Sequence, residues 1–379
     1  MEKETAIVMT TINLPKILEN ICDNITKYTH MNDVFMLIIG DKKTPLEIER
    51  YCKEIKDKYH VDIEYLSIEK QKKALKKFPK LLKLIPYNTP DRVMLGCIIA
   101  YLKGCTRVIA VDDDNFPTDS DFIGFHSITG TTMEIPLIKN DSGWFNVHST
   151  LEDEKRIPFY PRGFPWKQRN EKSNERQFVT EEKKIVVNQG LVLEDSDVDA
   201  ITRLFHPIRA IGFNLEYEPQ FGLYSGVWSP FNFQNTCLSR ELIPVYYRPL
   251  STLRNGDIWT SYLINKLAQH FNDTITFGQP LVKQIRNVHD LFDDLEIELV
   301  NNKATDTFVH VLRNIPLKGD TYFKALGDLL KNSDKELKKV KSKTKEFTMI
   351  KEFFKEYKVW YNIISEVIDN GRYATTKNR

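Results

Sequence analysis

Short apolar runs alternate with helix-spaced runs through the first 111 residues, and this alternation restricts the fold more than any other feature. "TAIVMT" (5–10), "DVFMLIIGD" (33–41), "VDIEYLS" (61–67) and "RVIAV" (107–111) read as strands apolar enough to be buried on both faces. Between them, "LPKILENICDNITKY" (14–28) sets Ile17, Leu18, Ile21 and Ile25 on one helical face. "TPLEIERYCKEIKDKY" (44–59) opens on a Thr-Pro start signal, and "DRVMLGCIIAYLKG" (91–104) stops at Gly104. Residues 69–90 are basic and interrupted by prolines, as expected of a short helix and a loop. Strand and helix repeated in this way imply a parallel, doubly wound α/β sheet, which binds ligands beyond the carboxyl ends of its strands. Asp41 and the triplet Asp112-Asp113-Asp114 fall at such ends.

From 115 to about 290 the texture changes. Aromatic, Pro and Gly residues crowd into "FYPRGFPWKQRNE" (159–171) and "YSGVWSPFNFQN" (224–235), which predicts mixed strands with long loops. The run "KNSDKELKKVKSKTKEF" (331–347) is expected to be a solvated helix or linker. Beyond it Ile350, Phe353, Phe354, Tyr357, Trp360 and Ile364 form a helical stripe that should pack on the main body.

Composition excludes several classes. A net charge of +2 gives no electrostatic case for nucleic acid or an anionic membrane surface. No apolar stretch approaches the ~18 residues of a membrane span, and the acidic start "MEKETAIVMTT" is not a secretory signal. The five cysteines form no CxxC pair, so a reducing, cytoplasmic setting is expected and the sequons at Asn24 and Asn272 are read as chance. No P-loop, dinucleotide or nucleophile-elbow motif occurs, and Pro117 occupies the place where a calcium loop requires glycine.

The aspartates carry the chemistry. Along extended backbone, residues i and i+2 point the same way, so Asp112 and Asp114 can face one point with Asp113 turned aside. Two hard oxygen ligands with open positions suit Mg²⁺ or Mn²⁺ brought in with a diphosphate. In isolation, three aspartates before a proline turn equally describe a solvated loop; the preceding strand and its strand–helix units favour the ligand reading.

With its neighbours, the triplet resembles the reversibly glycosylated polypeptide / UDP-arabinopyranose mutase family of GT-A glycosyltransferases. "AVDDDN" matches an aspartate-rich strand end, "PRGFPW" (161–166) the family's Arg-Gly-aromatic-Pro segment, "NTCLSRELIP" from Asn235 its Asn before a "DRDLI"-like stretch, and "GDIW" (256–259) its "DDMW". "TTINLP", "GDKKTP" and "PYNTPDR" are similar to STELLO-type glycosyltransferases. The resemblance implies a GT-A-like, Rossmann-like nucleotide-sugar domain with a mixed second half over residues 1–300 and a C-terminal helical region over 301–379. It implies Asp41 near the base or ribose, with Thr10 and Thr11 in the same pocket and Asp113 and Asn235 among the nucleotide-sugar contacts. Arg92 and Arg286 would meet the diphosphate, where a guanidinium fork suits phosphate oxygens. Arg162 occupies the position of reversible self-glycosylation; a binding or packing arginine flanked by Phe159, Phe164 and Trp166 is the alternative.

Two positions depart from the family. Gly256 replaces the first Asp of "DDMW", leaving Asp257 as candidate base for an acceptor hydroxyl or as a helix cap. Gln284 stands where the family has His, and His289, five residues on, is the candidate third metal ligand. The expectation is a metal-dependent glycosyltransferase moving a sugar from a nucleotide sugar, of the UDP class, to a glycan or other hydroxyl acceptor. A UDP-sugar pyranose/furanose mutase and a catalytically silent nucleotide-sugar-binding scaffold are the rivals. Trp166, Trp228 and Trp259 are candidate sugar platforms, and the C-terminal helices (about 318–372) a candidate homo-oligomer surface.

Overall fold

A computed structural model describes residues 3–286 and 290–376. Strands β1 (Thr5–Thr10), β2 (Val34–Ile39), β3 (Asp62–Leu66) and β4 (Arg107–Val111) pair in parallel in the order β3-β2-β1-β4. Helices α1 (Ile17–Lys27) and α2 (Ile48–Tyr59) cross over between the first three; α3 (Ile68–Ala74), α4 (Pro79–Leu84) and α5 (Val93–Leu102) lie between β3 and β4. Alternation along each strand divides the core. Ile7, Met9, Met36 and Ile38 pack with Ile17, Ile21 and Ile55. Ala6, Val8, Leu37 and Ile39 pack with Met94, Leu95 and Ile98 of α5. Gly96 lets α5 lie close to the sheet, for a Cβ there would stand 2.5 Å from Val8 Cγ1 and 2.8 Å from Ile39 Cδ1. Gly104, at φ 95°, supplies the left-handed residue after α5.

Beyond β4 the sheet becomes mixed. The remaining strands are β5 (Asn115–Pro117), β6 (Thr132–Lys139), β7 (Leu151–Asp153), the long β8 (Gln177–Glu194), β9 (Ala210–Phe213), β10 (Gln220–Leu223), β11 (Asn235–Ser239) and β12 (Thr274–Gln284). β11 runs antiparallel to both β4 and β8, β12 runs parallel to β8, and β5 closes on the end of β12. Asn115 lies opposite Gln284 and Val111 opposite Asn235, so the two ends of the aspartate segment are held by strands far away in sequence.

The remaining helices are α6 (Phe122–His126), α7 (Ala200–Phe205), α8 (Gly256–Phe271), α9 (Leu291–Asn314), α10 (Tyr322–Leu337) and α11 (Lys345–Thr376). The α11 stripe is buried as its spacing predicts. Trp360 stacks on Tyr247 at 4.8 Å and donates from Nε1 to the Pro244 carbonyl, while Phe353 packs against Trp259 and Phe308. A division at residue 300 falls inside α9, and the α9–α11 side chains belong to the same apolar cluster as β1 and α5; the two expected regions share one core. Both sequon asparagines serve the fold. Asn24 donates to the Thr118 and Ser120 carbonyls, and Asn272 takes the left-handed cap of α8. No described helix is long and apolar enough to cross a membrane.

Gly96→Ala is expected to lower unfolding free energy by ~1–3 kcal/mol through overpacking against Val8 and Ile39. Urea titration followed by circular dichroism would read this as a lower midpoint at unchanged slope.

Candidate functional site

Two clefts open beyond the carboxyl ends of β1, β2 and β4 and share Thr89, Pro90, Asp112 and Asp114. The first, of about 270 Å³, is lined by Thr10, Thr11, Asp41, Lys43, Asn88, Arg92 and all three aspartates of the triplet. The second, of about 500 Å³, adds Arg162, Asp197, Arg248, Arg254, Asp257, Gln284 and Arg286.

The first cleft is held by short loops after the strands. Asp41 Oδ1 accepts from the Lys42 amide at 2.7 Å and Oδ2 from the Asn88 amide at 2.6 Å. Thr44 Oγ1 joins the loops after β1 and β2, accepting from the Asp41 amide and donating to the Thr11 carbonyl. Arg92 lies beneath this end of the cleft. It bonds to Gln71, stacks on Tyr87 at 4.6 Å, and brings Nε to 3.9 Å from Asp41 Oδ2. The charged and polar neighbours it feels are Asp41 and Tyr87, so it braces the Asp41 end of the cleft that the triplet also lines.

The triplet turns instead of running extended, with the Asn115 amide bonded to the Asp112 carbonyl at 3.2 Å. Asp112 and Asp114 still line both clefts. Asp113 Oδ2 accepts from Thr11 Oγ1 at 2.6 Å, which ties the triplet to the end of β1. Asp114 is oriented from both sides, Oδ1 accepting from Asn115 Nδ2 at 2.9 Å and Oδ2 from Gln284 Nε2 at 3.2 Å. Asp112 is exposed into the clefts but surrounded by the packed ends of the strands. Burial, and then the charge of Asp114, push its carboxyl up to about 8. Two carboxylates forced together in this way fit a divalent cation, whose charge relieves both the burial and the repulsion. Among the described residues no third His, Cys, Asp or Glu joins them. Gln284 occupies the place beside Asp114, and His289 lies outside the described residues.

Arg162 is the hub of the second cleft. Its Nε and Nη2 donate to the Asp197 carboxylate at 2.8 and 3.0 Å, and Nη2 also reaches both Asp257 oxygens at 3.3 and 3.1 Å. Nη1 is bonded to the Arg254 carbonyl and to Asn255 Oδ1. Burial opposes charge on both partners, but their mutual attraction overrides it: Asp197 is held well below, and Arg162 well above, the usual range. All three guanidinium nitrogens of Arg162 are engaged by carboxylates, a carbonyl and an amide, and not by the flanking aromatic rings. Asp257 lies in the first turn of α8, not at its cap, and its oxygens accept from Arg162 and the Ile258 amide while it lines the second cleft.

Asn235 is absent from both clefts. It is fully buried, donates to the Gly190 carbonyl and accepts from His126 Nε2–H at 3.1 Å. The tryptophans are likewise not platforms in either cleft. Trp259 stacks on Phe308, Trp228 on Tyr262, and Trp166 lies under the Arg169 guanidinium.

Arg248 went unrecognised in the sequence. Its Nε lies 3.1 Å from Asp91 Oδ1, and the charges of Asp91, Asp257 and Asp112 keep it cationic against its burial. Burial raises the carboxyl of Asp114, and Arg286, 3.6 Å from Asp294, offsets part of that rise. These two arginines, not Arg92, flank the aspartate pair. Also unrecognised were Gln234, which donates to Asn115 Oδ1 at 2.9 Å, and Asn232, which donates to Gln234 Oε1 and to Asp197 Oδ2. Amides of this kind carry no motif; only the pairing of β11 with β4 reveals them.

No protein-family model matches the chain. No curated protein matches it either. Among solved structures it aligns with glucosyl-3-phosphoglycerate synthase from Mycobacterium tuberculosis. In the complex with Mn²⁺ and UDP-glucose the identity is 10%, the TM-score 0.36, and 84% of this chain and 81% of that one are covered. In the complex with phosphoglyceric acid the values are 10%, 0.36, 81% and 80%. A further mycobacterial protein aligns at 9% identity and TM-score 0.38 over 81% of this chain and 74% of that one. At this level of similarity the overlap identifies neither a family nor a substrate.

The buried histidines set the acid limit of the fold. Desolvation pushes both His126 and His148 down to about 4, whereas the unfolded side chain titrates near 6.5. Between those values the unfolded chain binds more protons, so stability falls as pH drops, by about 1.4 kcal/mol per pH unit for each histidine. His126→Gln should therefore lose less stability than the parent between pH 6.5 and 5, read as a smaller drop in urea midpoint.

Proposed function

We propose that the chain is a metal-dependent glycosyltransferase of the GT-A kind, using a nucleoside diphosphate sugar. The observation that carries the reading is the pair of contiguous clefts sharing Asp112 and Asp114 at the carboxyl ends of parallel strands. The first cleft takes the nucleoside, with Asp41, Thr10 and Thr11 offering oxygen acceptors and hydroxyls to base and ribose. The second takes the sugar and its acceptor. The resemblance in the sequence supports uridine as the base.

Asp112 and Asp114 would hold Mn²⁺ or Mg²⁺, which when bound neutralises charge on the departing diphosphate. The chain's own residues do the rest. Gln284 and Asn115 aim Asp114, while Thr11 fixes Asp113 and with it the turn. Arg248 and Arg286 flank the aspartates and bring fixed positive charge to the phosphate side of the breaking bond. Arg162 holds Asp257 toward the second cleft, where its carboxylate orients hydroxyls of the sugar or acceptor.

Asp114→Asn is expected to reduce turnover of the UDP-sugar at least ~100-fold and to abolish the tightening of UDP binding by Mn²⁺ in calorimetry, with the fold intact. Metal-independent binding of equal strength in both proteins would refute the assignment. NMR of the nucleotide sugar incubated with Mn²⁺ and no acceptor separates transfer from ring interconversion: an unchanged pyranose is expected, and a furanose product would identify a mutase.

A further inference from the structure

The charged run at 331–347 is not only a solvated linker. With the first half of α11 it builds the walls of a groove of about 1170 Å³, larger than either cleft of the site. Its lining includes six lysines but a single carboxylate, Asp334. Lys358 is paired with Asp334 at 2.8 Å and Lys355 with Glu352 at 2.9 Å. Lys338, Lys341, Lys343 and Lys351 have no ion pair among the described residues, and all four are exposed. Beneath the lysines lie Val340, half-buried, and Val359, 45% exposed, over the buried side chains of Leu337, Phe347 and Phe354. For a chain whose net charge is +2, this is a strong local concentration of one sign over an apolar trough.

We propose that this groove docks a short, acidic amphipathic helix of a partner protein. Charge complementarity requires an anionic occupant, and the apolar floor requires one with a hydrophobic face. The concave shape selects a helix over a bilayer. A flat membrane surface would meet the lysine rim and leave the concave volume around Val340 and Val359 unfilled, whereas a helix ~10 Å across fills it with roughly two to three turns. Leucine-like residues at i, i+3, i+4 and i+7 would face the floor, and glutamates or aspartates beside them would meet Lys341, Lys343 and Lys351. The surface is separate from the aspartate clefts, so the inference stands or falls independently of the proposed catalysis.

The probe is a fluorescein-labelled 14-residue peptide of leucine and glutamate at that spacing, titrated into the full chain by fluorescence anisotropy. Saturable binding is expected, weakened at least ~10-fold by the combined substitutions Lys341→Glu, Lys343→Glu and Lys351→Glu, and less by the corresponding Lys→Gln set. Val359→Ser, which leaves the charge unchanged, should weaken it ~3-fold or more. Circular dichroism checks that each variant is folded. Equal binding by the parent and the Lys→Glu variant would overturn the proposal, as would indifference to Val359→Ser, which would reduce the groove to a nonspecific cationic patch. Co-sedimentation with phosphatidylglycerol vesicles, without binding of the peptide, would overturn it in favour of a membrane surface.

Discussion

The candidate site depends on one buried hydrogen-bond relay. From Asp114 it passes to Asn115, Gln234 and Asn232, then to Asp197, Arg162 and Asp257. Asn115 is fully buried, and Gln234, Asn232 and Arg162 nearly so. An amide or guanidinium in that position is costly unless its donors and acceptors are met, and each member here is met by the next. The relay is thus closer to all-or-none than a sum of separate contacts. It also couples the two clefts mechanically, because the orientation of Asp114 in the first is fixed by the same chain that fixes Asp257 in the second.

The relay exists because of the sheet's change of direction. In an all-parallel sheet the loop after β4 would meet only the loops of its parallel neighbours. Here β11 enters antiparallel beside β4 and delivers Gln234 next to Asp112, whose amide bonds to the Gln234 carbonyl at 3.3 Å. β5 pairs with the far end of β12 and delivers Gln284 to Asp114. The parallel half supplies the carboxyl-end crevice, and the antiparallel half supplies the polar residues that make an aspartate triplet tolerable there.

This division explains what could be read from the chain. The parallel strands and their helices were legible because burial on both faces leaves continuous apolar runs, and helix faces repeat at i, i+3 and i+4. The triplet, Asp41 and the threonines after β1 were legible because they follow those runs directly. The relay was not, since Gln234 and Asn115 are 119 residues apart and Asn232 and Asp197 are 35 apart. Arg92, Arg162 and Asn235 were recognised as special, but their partners were not. Sequence showed that a polar group was fixed at each position without showing which way it points. Arg92 points to Asp41, Asn235 to His126, and Arg162 to two carboxylates at once.

The near-neutral net charge concealed the electrostatic design in a similar way. It averages over regions of opposite character. Around the clefts, arginines are matched one by one with carboxylates: Arg162 with Asp197 and Asp257, Arg248 with Asp91, Arg254 with Asp294 and Glu298. The triplet is the exception: burial raises all three carboxyls, and burial with the charge of Asp114 pushes Asp112 up to about 8 even with Arg248 nearby. Between α10 and α11 the imbalance has the other sign, with Lys338, Lys341, Lys343 and Lys351 outside any ion pair among the described residues. A folded chain conceals the first kind of deficit in a crevice, where a small ion can meet it, and displays the second in a groove, where only a larger anionic body can.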